Sequence, residues 1–377
     1  MNVLQRFRKK ASTSAQTRSR PGPIGLDIGG GNLHMCQMRS LDMGRFSILA
    51  KCSTPFEGSR EALLASPAKM KQLFNTAFRG SRFKGRKVVA LMPWEEVKII
   101  LLTYKSSVSD VDAEVVKMLV KRIDGRLEDY VIDYIPVRSN PSDEEHMVVA
   151  TVALKARVER FLKSLIACGL EVESLDIAPT ALRRLVSSLY SGESADNVLL
   201  INTYPEESYL TIVSGRRLLY NQTVSFGANK LLQRISQTLE VTVTEARDLV
   251  SRHGLESRLN TPGREADDNH QQIASTLREI LKPCFLELVA EINRVMIFTA
   301  SETHGVPVSR VCLLGGIGEW PGARQLLLSL LEFDTPDGQI EFNQIFEDEN
   351  DNTLLPWEGL FSDMSIAMGL SLRGLVE

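Results

Sequence analysis

Gly25-Leu26-Asp27-Ile28-Gly29-Gly30-Gly31-Asn32 runs an apolar strand into three consecutive glycines, and the reading of this stretch decides the fold. Ile24 to Ile28 reads as a strand, Leu33 to Arg39 as a second and Arg45 to Ser53 as a third, with a further turn at Met43-Gly44. Glycine suits such turns because it reaches positive φ without a Cβ clash. Asp27 stands at the strand end, ahead of backbone N–H groups that no side chain shields, and such amides can approach phosphate oxygens closely. Its carboxylate is a candidate ligand for a hydrated Mg²⁺, a cation that bridges to phosphates while keeping several waters. A hairpin that needs glycine only for its turn explains the same residues equally well.

Further along, the layout repeats. Val198 to Asn202, a turn through Tyr204-Pro205-Glu206, Ser208 to Val213, Ser214-Gly215 and Arg216 to Val224 form a second triplet of strands. Gly44-Arg45 and Gly215-Arg216 take the same second-turn position, so the two triplets read as an internal duplication.

Between the triplets lies a block with its own signals. A Ser109-x-x-Asp112 capping pattern opens a helix carrying Val115, Leu119 and Ile123 on one face. Strands are expected from Tyr130 to Val137 and from His146 to Ala153, then a second amphipathic helix through Phe161 and Leu165 that stops at Gly169. The block reads as an inserted α+β subdomain. After the second triplet, helices are expected over Asn229 to Leu239 and over Val243 to His253, the latter capped by Thr242 with Glu245. A polar loop from Glu256 to His270 precedes a long helix from Gln271 to Thr299, which Pro283 should kink. The strand Val311 to Leu314 then enters Gly315-Gly316-Ile317-Gly318, ahead of a helix beginning after Pro321. That turn admits a phosphate or adenosine contact at a helix N-terminus, or simply close packing of strand on helix. Gly316-x-Gly318-x-x-x-Gly322 imitates a dinucleotide fingerprint with one residue too many, and too little chain follows to complete that fold.

Composition narrows the function. A net charge of -3 offers no general attraction to nucleic acid. No P-loop, nucleophile elbow or zincin motif occurs, and five histidines without metal spacing leave hydrolytic chemistry without its usual groups. Five scattered cysteines indicate neither a disulfide framework nor a zinc site. No apolar run approaches the roughly 18 to 20 residues that span a bilayer, nor is there a secretion signal, so the chain is expected to be cytoplasmic, with no transmembrane segment. Before Pro21 the chain is basic and free of acidic residues. Such a tail is expected to be a solvated leader, or to make a weak membrane-surface contact through Val3, Leu4 and Phe7. The acidic stretch from Glu332 to Asp351 reads as a solvated loop or a partner-binding patch.

These residues resemble the actin-like ATPases of the FtsA and PilM group, over Pro23 to Glu377. Gly25-Leu26-Asp27-Ile28-Gly29 looks like that family's first phosphate motif, and Leu314-Gly315-Gly316-Ile317-Gly318 with Pro321-Gly322 looks like its adenosine motif. Ser365 to Gly374 resembles its closing C-terminal helix. The inserted block, with Tyr130-Val131-Ile132-Asp133-Tyr134, Val148-Val149-Ala150 and Cys168-Gly169-Leu170 in order, is similar to that of PilM-like pilus proteins. The resemblance implies an α/β actin-like fold of two duplicated domains around a nucleotide cleft. It divides the chain into a basic tail (1–22), a first domain (23–105, resuming at 179–197), an inserted α+β subdomain (106–178), a second domain (198–354) and a returning C-terminal helix (355–377). The cofactors it implies are ATP and Mg²⁺, with Asp27, Gly29, Gly30, Gly31 and Asn32 on one side and Gly315, Gly316, Ile317 and Gly318 on the other, and Asp27 as metal ligand.

Departures weaken the enzymatic half of that description. The first turn carries Gly30, Gly31 and His34 where PilM-like proteins usually have hydroxyl residues and a lysine. The second phosphate motif is Asn202-Thr203-Tyr204 in place of an Asp-Ile-Gly opening, and Arg247 and Val250 replace the ribose-holding Glu and Lys. Phosphoryl transfer depends on such cations and donors, so nucleotide binding is expected to be weak or absent and no catalytic residue is assigned. The leading expectation is a docking component of a type IV pilus inner-membrane complex. It would bind the cytoplasmic tail of a PilN-like bitopic membrane protein, alongside other pilus platform proteins. An active actin-like ATPase and a polymerising cytoskeletal or division protein are the alternatives.

Overall fold

A computed structural model describes residues 20–29, 31–41, 45–137, 144–189, 197–256, 268–303, 305–331, 346–348, 353–355 and 364–376. Gly30, residues 1–19 of the basic tail and most of the acidic stretch lie outside the described residues.

β1 (Pro21–Gly29), β2 (Asn32–Ser40) and β3 (Phe46–Pro55) form an antiparallel meander. Helices α1 (Arg60–Leu64) and α2 (Pro67–Phe78) lead to β4 (Lys87–Leu91), which lies parallel to β1. The chain then builds a three-stranded sheet from β5 (Val97–Lys105), β6 (Tyr130–Pro136) and β7 (Glu145–Leu154), in the order β5-β7-β6, with α3 (Val111–Val120) against it. α4 (Lys155–Ala167), β8 (Glu171–Asp176) and α5 (Ala178–Leu189) return to the first sheet. β9 (Asn197–Thr203), β10 (Ser208–Ser214) and β11 (Arg217–Val224) form the second meander. α6 (Ala228–Leu239), α7 (Val243–His253) and α8 (Asp268–Glu302) follow, then β12 (Val308–Gly315), parallel to β9. α9 (Ala323–Leu330), the short strands β13 (Phe346–Asp348) and β14 (Thr353–Leu355), and α10 (Ser365–Ser371) complete the described chain.

The order β3-β2-β1-β4 inside the first sheet is repeated as β11-β10-β9-β12 in the second. In each, a three-strand meander receives a fourth strand in parallel, after a crossover that carries helices. β9 is buried along its whole length, as a central strand covered on both faces should be. The two halves share one core: Val89 and Leu182 of the first pack with Leu200, Val213 and Leu314 of the second. α10 completes the first domain, lying on β1, β2 and α5 with all of its residues buried.

Several local expectations change in the structure. α3 is capped by Asp110, whose side chain accepts from the Ala113 N–H at 3.0 Å, one position beyond the Ser109 start. β5 falls in the three-stranded sheet although residues up to 105 were assigned to the first domain. Conversely β8, assigned to the inserted block, pairs with β4 in the first sheet. β13, inside the acidic stretch and assigned to the second domain, pairs with β3 of the first. These assignments depend on pairing between distant strands, which local patterning does not report. α8 begins at Asp268, inside the expected polar loop, and holds Pro283 in its interior. The Thr242–Glu245 capping box is formed. Among the described residues, no helix is long and apolar enough to cross a membrane.

Candidate functional site

Two concavities among the described residues bear on function. The larger, about 490 Å³, is a cleft between the two halves, bounded by the turns that end β1, β9 and β12 and by α6 and α7. Asp27, Gly29, Asn32, Gly315 and Gly316 line it, so two distant glycine motifs face one space. Ile317 does not reach the space; it is fully buried in the second domain's core. Gly318 packs beneath the turn, where a Cβ would stand 2.7 Å from the Leu313 carbonyl oxygen. Gly31 sits at φ +89° with open space around it, which makes its role one of turn conformation.

Asp27 and His34 face each other across β1 and β2, and both are buried against the cleft. On the opposite wall, Thr203 is structural: its hydroxyl donates to the Leu314 carbonyl at 2.7 Å and accepts from the Ile317 N–H at 3.2 Å. It thereby clamps β9 to the turn after β12. Tyr204, where the resemblance calls for glycine, is only 8% exposed. Its ring lies 5.8 Å from that of Trp94 in the first domain and 5.7 Å from that of Tyr209. Burial, reinforced by the charge on Asp27, raises the Tyr204 hydroxyl far above its ordinary value, so it stays neutral. The first N–H groups of α6 are also taken: Ala228 donates to the Tyr204 carbonyl at 3.1 Å and Asn229 to that of Pro205 at 2.8 Å.

One residue that the sequence did not single out stands at the end of β1. Arg60, at the start of α1, donates from Nη1 to the Ile28 carbonyl at 3.0 Å and forms an ion pair with Glu95. Its side chain is 11% exposed. Burial pulls the guanidinium below its ordinary pKa, while Asp27, Tyr204 and Glu96 act in the opposite sense. Nothing in the sequence near Arg60 signals this, because its partners come from β1 and from the connection after β4.

The second concavity, a groove of about 330 Å³, lies between the inserted sheet and the first domain. Val131 and Asp133 of β6, Val152 of β7 and Leu175 of β8 line it, and Arg183 and Arg373 border it. β6 is an edge strand, and Val131 is 43% exposed. At the groove's base, the buried Asp176 carboxylate accepts from Arg184 at 2.7 Å and from Arg373 at 3.0 Å, and also from the Thr180 hydroxyl. Burial alone would raise the Asp176 carboxyl, yet the two guanidinium groups and the Thr180 hydroxyl hold it below the ordinary carboxylate value. Glu96 fixes the neighbouring wall by accepting from Arg157 at 3.3 Å and Arg160 at 2.8 Å of α4. The groove therefore has apolar walls from Val131, Val152 and Leu175 and a base held by charged contacts.

Comparison with known proteins gives a consistent family. The family model described as type IV pilus assembly protein PilM matches residues 25–375. A chain of the PilM-PilN type IV pilus biogenesis complex is 19% identical, covers 94% of this chain and 99% of its own, and superposes with a TM-score of 0.67, which shows a common fold. The ethanolamine utilization protein EutJ from Carboxydothermus hydrogenoformans is 10% identical over 93% of this chain and 90% of its own, with a TM-score of 0.49. MreB5 of Spiroplasma citri bound to AMPPNP is 10% identical over 95% and 98%, with a TM-score of 0.45. No curated protein matches the chain.

Proposed function

The chain belongs to the PilM family of type IV pilus assembly proteins and has the actin-like ATPase fold, and from that premise we propose that it is a docking component of the pilus inner-membrane assembly complex. It holds the short cytoplasmic tail of a PilN-like bitopic membrane protein in the groove between the inserted sheet and the first domain. Through that partner it is drawn from the cytoplasm to the inner membrane, where other platform proteins gather.

The observation that carries this reading is the groove itself. Its apolar walls can take up side chains of an extended segment, and its polar groups can fix the segment's direction. The ion-paired Asp176 and Glu96 hold the walls in place before binding, which limits the ordering cost on association. The cleft at the glycine turns is less suited to a nucleotide, because Asn202, Tyr204, Arg247 and Val250 stand where contacts to one are expected from the resemblance. ATP and Mg²⁺ therefore have at most a weak role, and docking does not depend on catalysis.

Val131→Arg tests the groove without disturbing the core, since Val131 is already exposed. A synthetic tail peptide is expected to bind the variant at least about tenfold more weakly than the parent, about 1.4 kcal/mol, with an unchanged melting temperature. Fluorescence anisotropy with a labelled peptide measures this. Equal affinities would place the tail elsewhere on the protein.

A further inference from the structure

One edge of the first domain carries a charge pattern that neither the groove nor the cleft uses. From Ala62 to Trp94 the chain has seven basic residues and no acidic one. Five of them, Arg79, Arg82, Lys84, Arg86 and Lys87, fall on the connection from α2 into the start of β4, and all five are exposed. Among the described residues none of the five pairs with a carboxylate; Arg86 instead lies 3.8 Å over the Phe78 ring.

The topology gathers further groups at the same edge. β1, β4 and β8 run parallel, so Pro21, Lys87 and Glu171 begin their strands on one side of the sheet. The buried Gln37 ties the point where the basic tail joins β1 to the basic connection. Its Nε2 donates to the carbonyls of Gly22 at 2.9 Å and Lys84 at 3.0 Å, and its Oε1 accepts from the Lys84 N–H at 2.7 Å. The residues before Pro21 add six Lys and Arg and no acidic residue. Ile166, 58% exposed in the last turn of α4, belongs to the same edge, since five residues later the Glu171 N–H donates to the Arg86 carbonyl at 2.9 Å. Glu171 sits opposite Lys87 in the β4–β8 register and offsets no more than one of these charges. The cleft and the groove open at the other ends of the strands, where Asp27 and Gly29 close β1 and Asp176 closes β8.

With a net charge of -3 over the whole chain, this edge is a local positive pole and not part of a basic protein. Each Lys or Arg held near an anionic leaflet adds to the attraction, which decays within a Debye length, so cations gathered on one edge act together. An exposed isoleucine among them adds nothing to a phosphate-backbone contact, but it matches the apolar layer beneath lipid headgroups. We propose that this edge is a direct docking surface for an anionic membrane. The cations between α2 and β4, with the basic tail that leaves beside them, meet lipid phosphates, and Ile166 meets the acyl boundary. Contact with lipid leaves the groove open at the far end of the sheet.

Flotation of the full chain with phosphatidylcholine vesicles, with and without about 30% phosphatidylglycerol, tests this. The chain is expected to float with the anionic vesicles only, and to be released when NaCl is raised from about 0.1 M to about 0.5 M. Arg82→Glu/Lys84→Glu, with the tail intact, should weaken partitioning at least about tenfold. Both side chains are exposed, so the melting temperature should not change. If the reversal does lower it, Arg82→Gln/Lys84→Gln serves, with an expected loss of at least about threefold. Lys98→Glu/Lys282→Glu makes the same change in net charge at exposed positions elsewhere, and should bind as the parent does. No flotation, equal flotation with neutral vesicles, parental binding by the variant altered at Arg82 and Lys84, or an equal loss in the control would overturn the proposal. So would tighter binding of a labelled DNA duplex than of the anionic vesicles in the same buffer, which would make this a nucleic-acid surface.

Discussion

Asp176→Ala is expected to destabilise the protein by about 3–5 kcal/mol, the range for removing one partner of a buried ion pair. Arg184, whose side chain is 4% exposed, would lose this carboxylate where little water can replace it, and Arg373 would lose its tie to the groove. The carboxylate serves three side-chain donors from two segments, α5 and the stretch after α10, so its loss loosens the base of the groove and the C-terminal packing together. Urea unfolding of parent and variant measures the difference. A change below about 1 kcal/mol, as for an exposed pair, would contradict this reading. The same group sets a pH dependence. Its folded pKa lies below the unfolded value, so its contribution is complete above about pH 4 and is lost as the pH falls further through the folded pKa. The acid limb of the stability curve should therefore flatten in Asp176→Ala.

The second large effect is expected at Gly25. A Cβ there would stand 1.9 Å from the Ala367 carbonyl oxygen and 2.8 Å from the Ser371 backbone nitrogen, both in α10. Neither obstacle can rotate away, because both are backbone. Ser371 is held in turn: its hydroxyl accepts from the Met38 N–H at 2.7 Å and donates to the Pro23 carbonyl at 2.6 Å. Gly25→Ala must therefore push α10 off β1, at a cost of about 3 kcal/mol or more, the upper end for overpacking a core. Gly31→Ala is the control. It meets open space, and its penalty is only the roughly 1 kcal/mol of an αL-type conformation. Calorimetric melting of the two variants separates them, and equal losses would contradict the steric account. The contrast also distinguishes two reasons for glycine in one motif: Gly25 permits helix contact and Gly31 permits a turn.

Much of the fold was legible because it is written locally. Both meanders, the glycine turns and the Thr242–Glu245 capping box depend on residues close in sequence, and the duplication showed as a repeated order of strands and turns. What stayed hidden depends on distance. β5 and β8 were not singled out as strands, and their sheets are chosen by β7 and β4 across long crossovers. At the cleft, Asp27 and Gly315 stood out through their glycines, and Tyr204 as a departure. Arg60 did not, since its partners, the Ile28 carbonyl and Glu95, lie far from it in sequence. Asp176 was equally silent: Thr180 and Arg184 lie close by on α5, but Arg373 reaches the carboxylate only in the folded chain.

The account is tested most directly by calorimetric titration of the PilN-like tail peptide into the full chain, with and without Mg-ATP. It predicts saturable binding of one peptide per chain, with the same affinity in both conditions and a marked loss in Val131→Arg. No binding, or binding seen only when Mg-ATP is present, would contradict it.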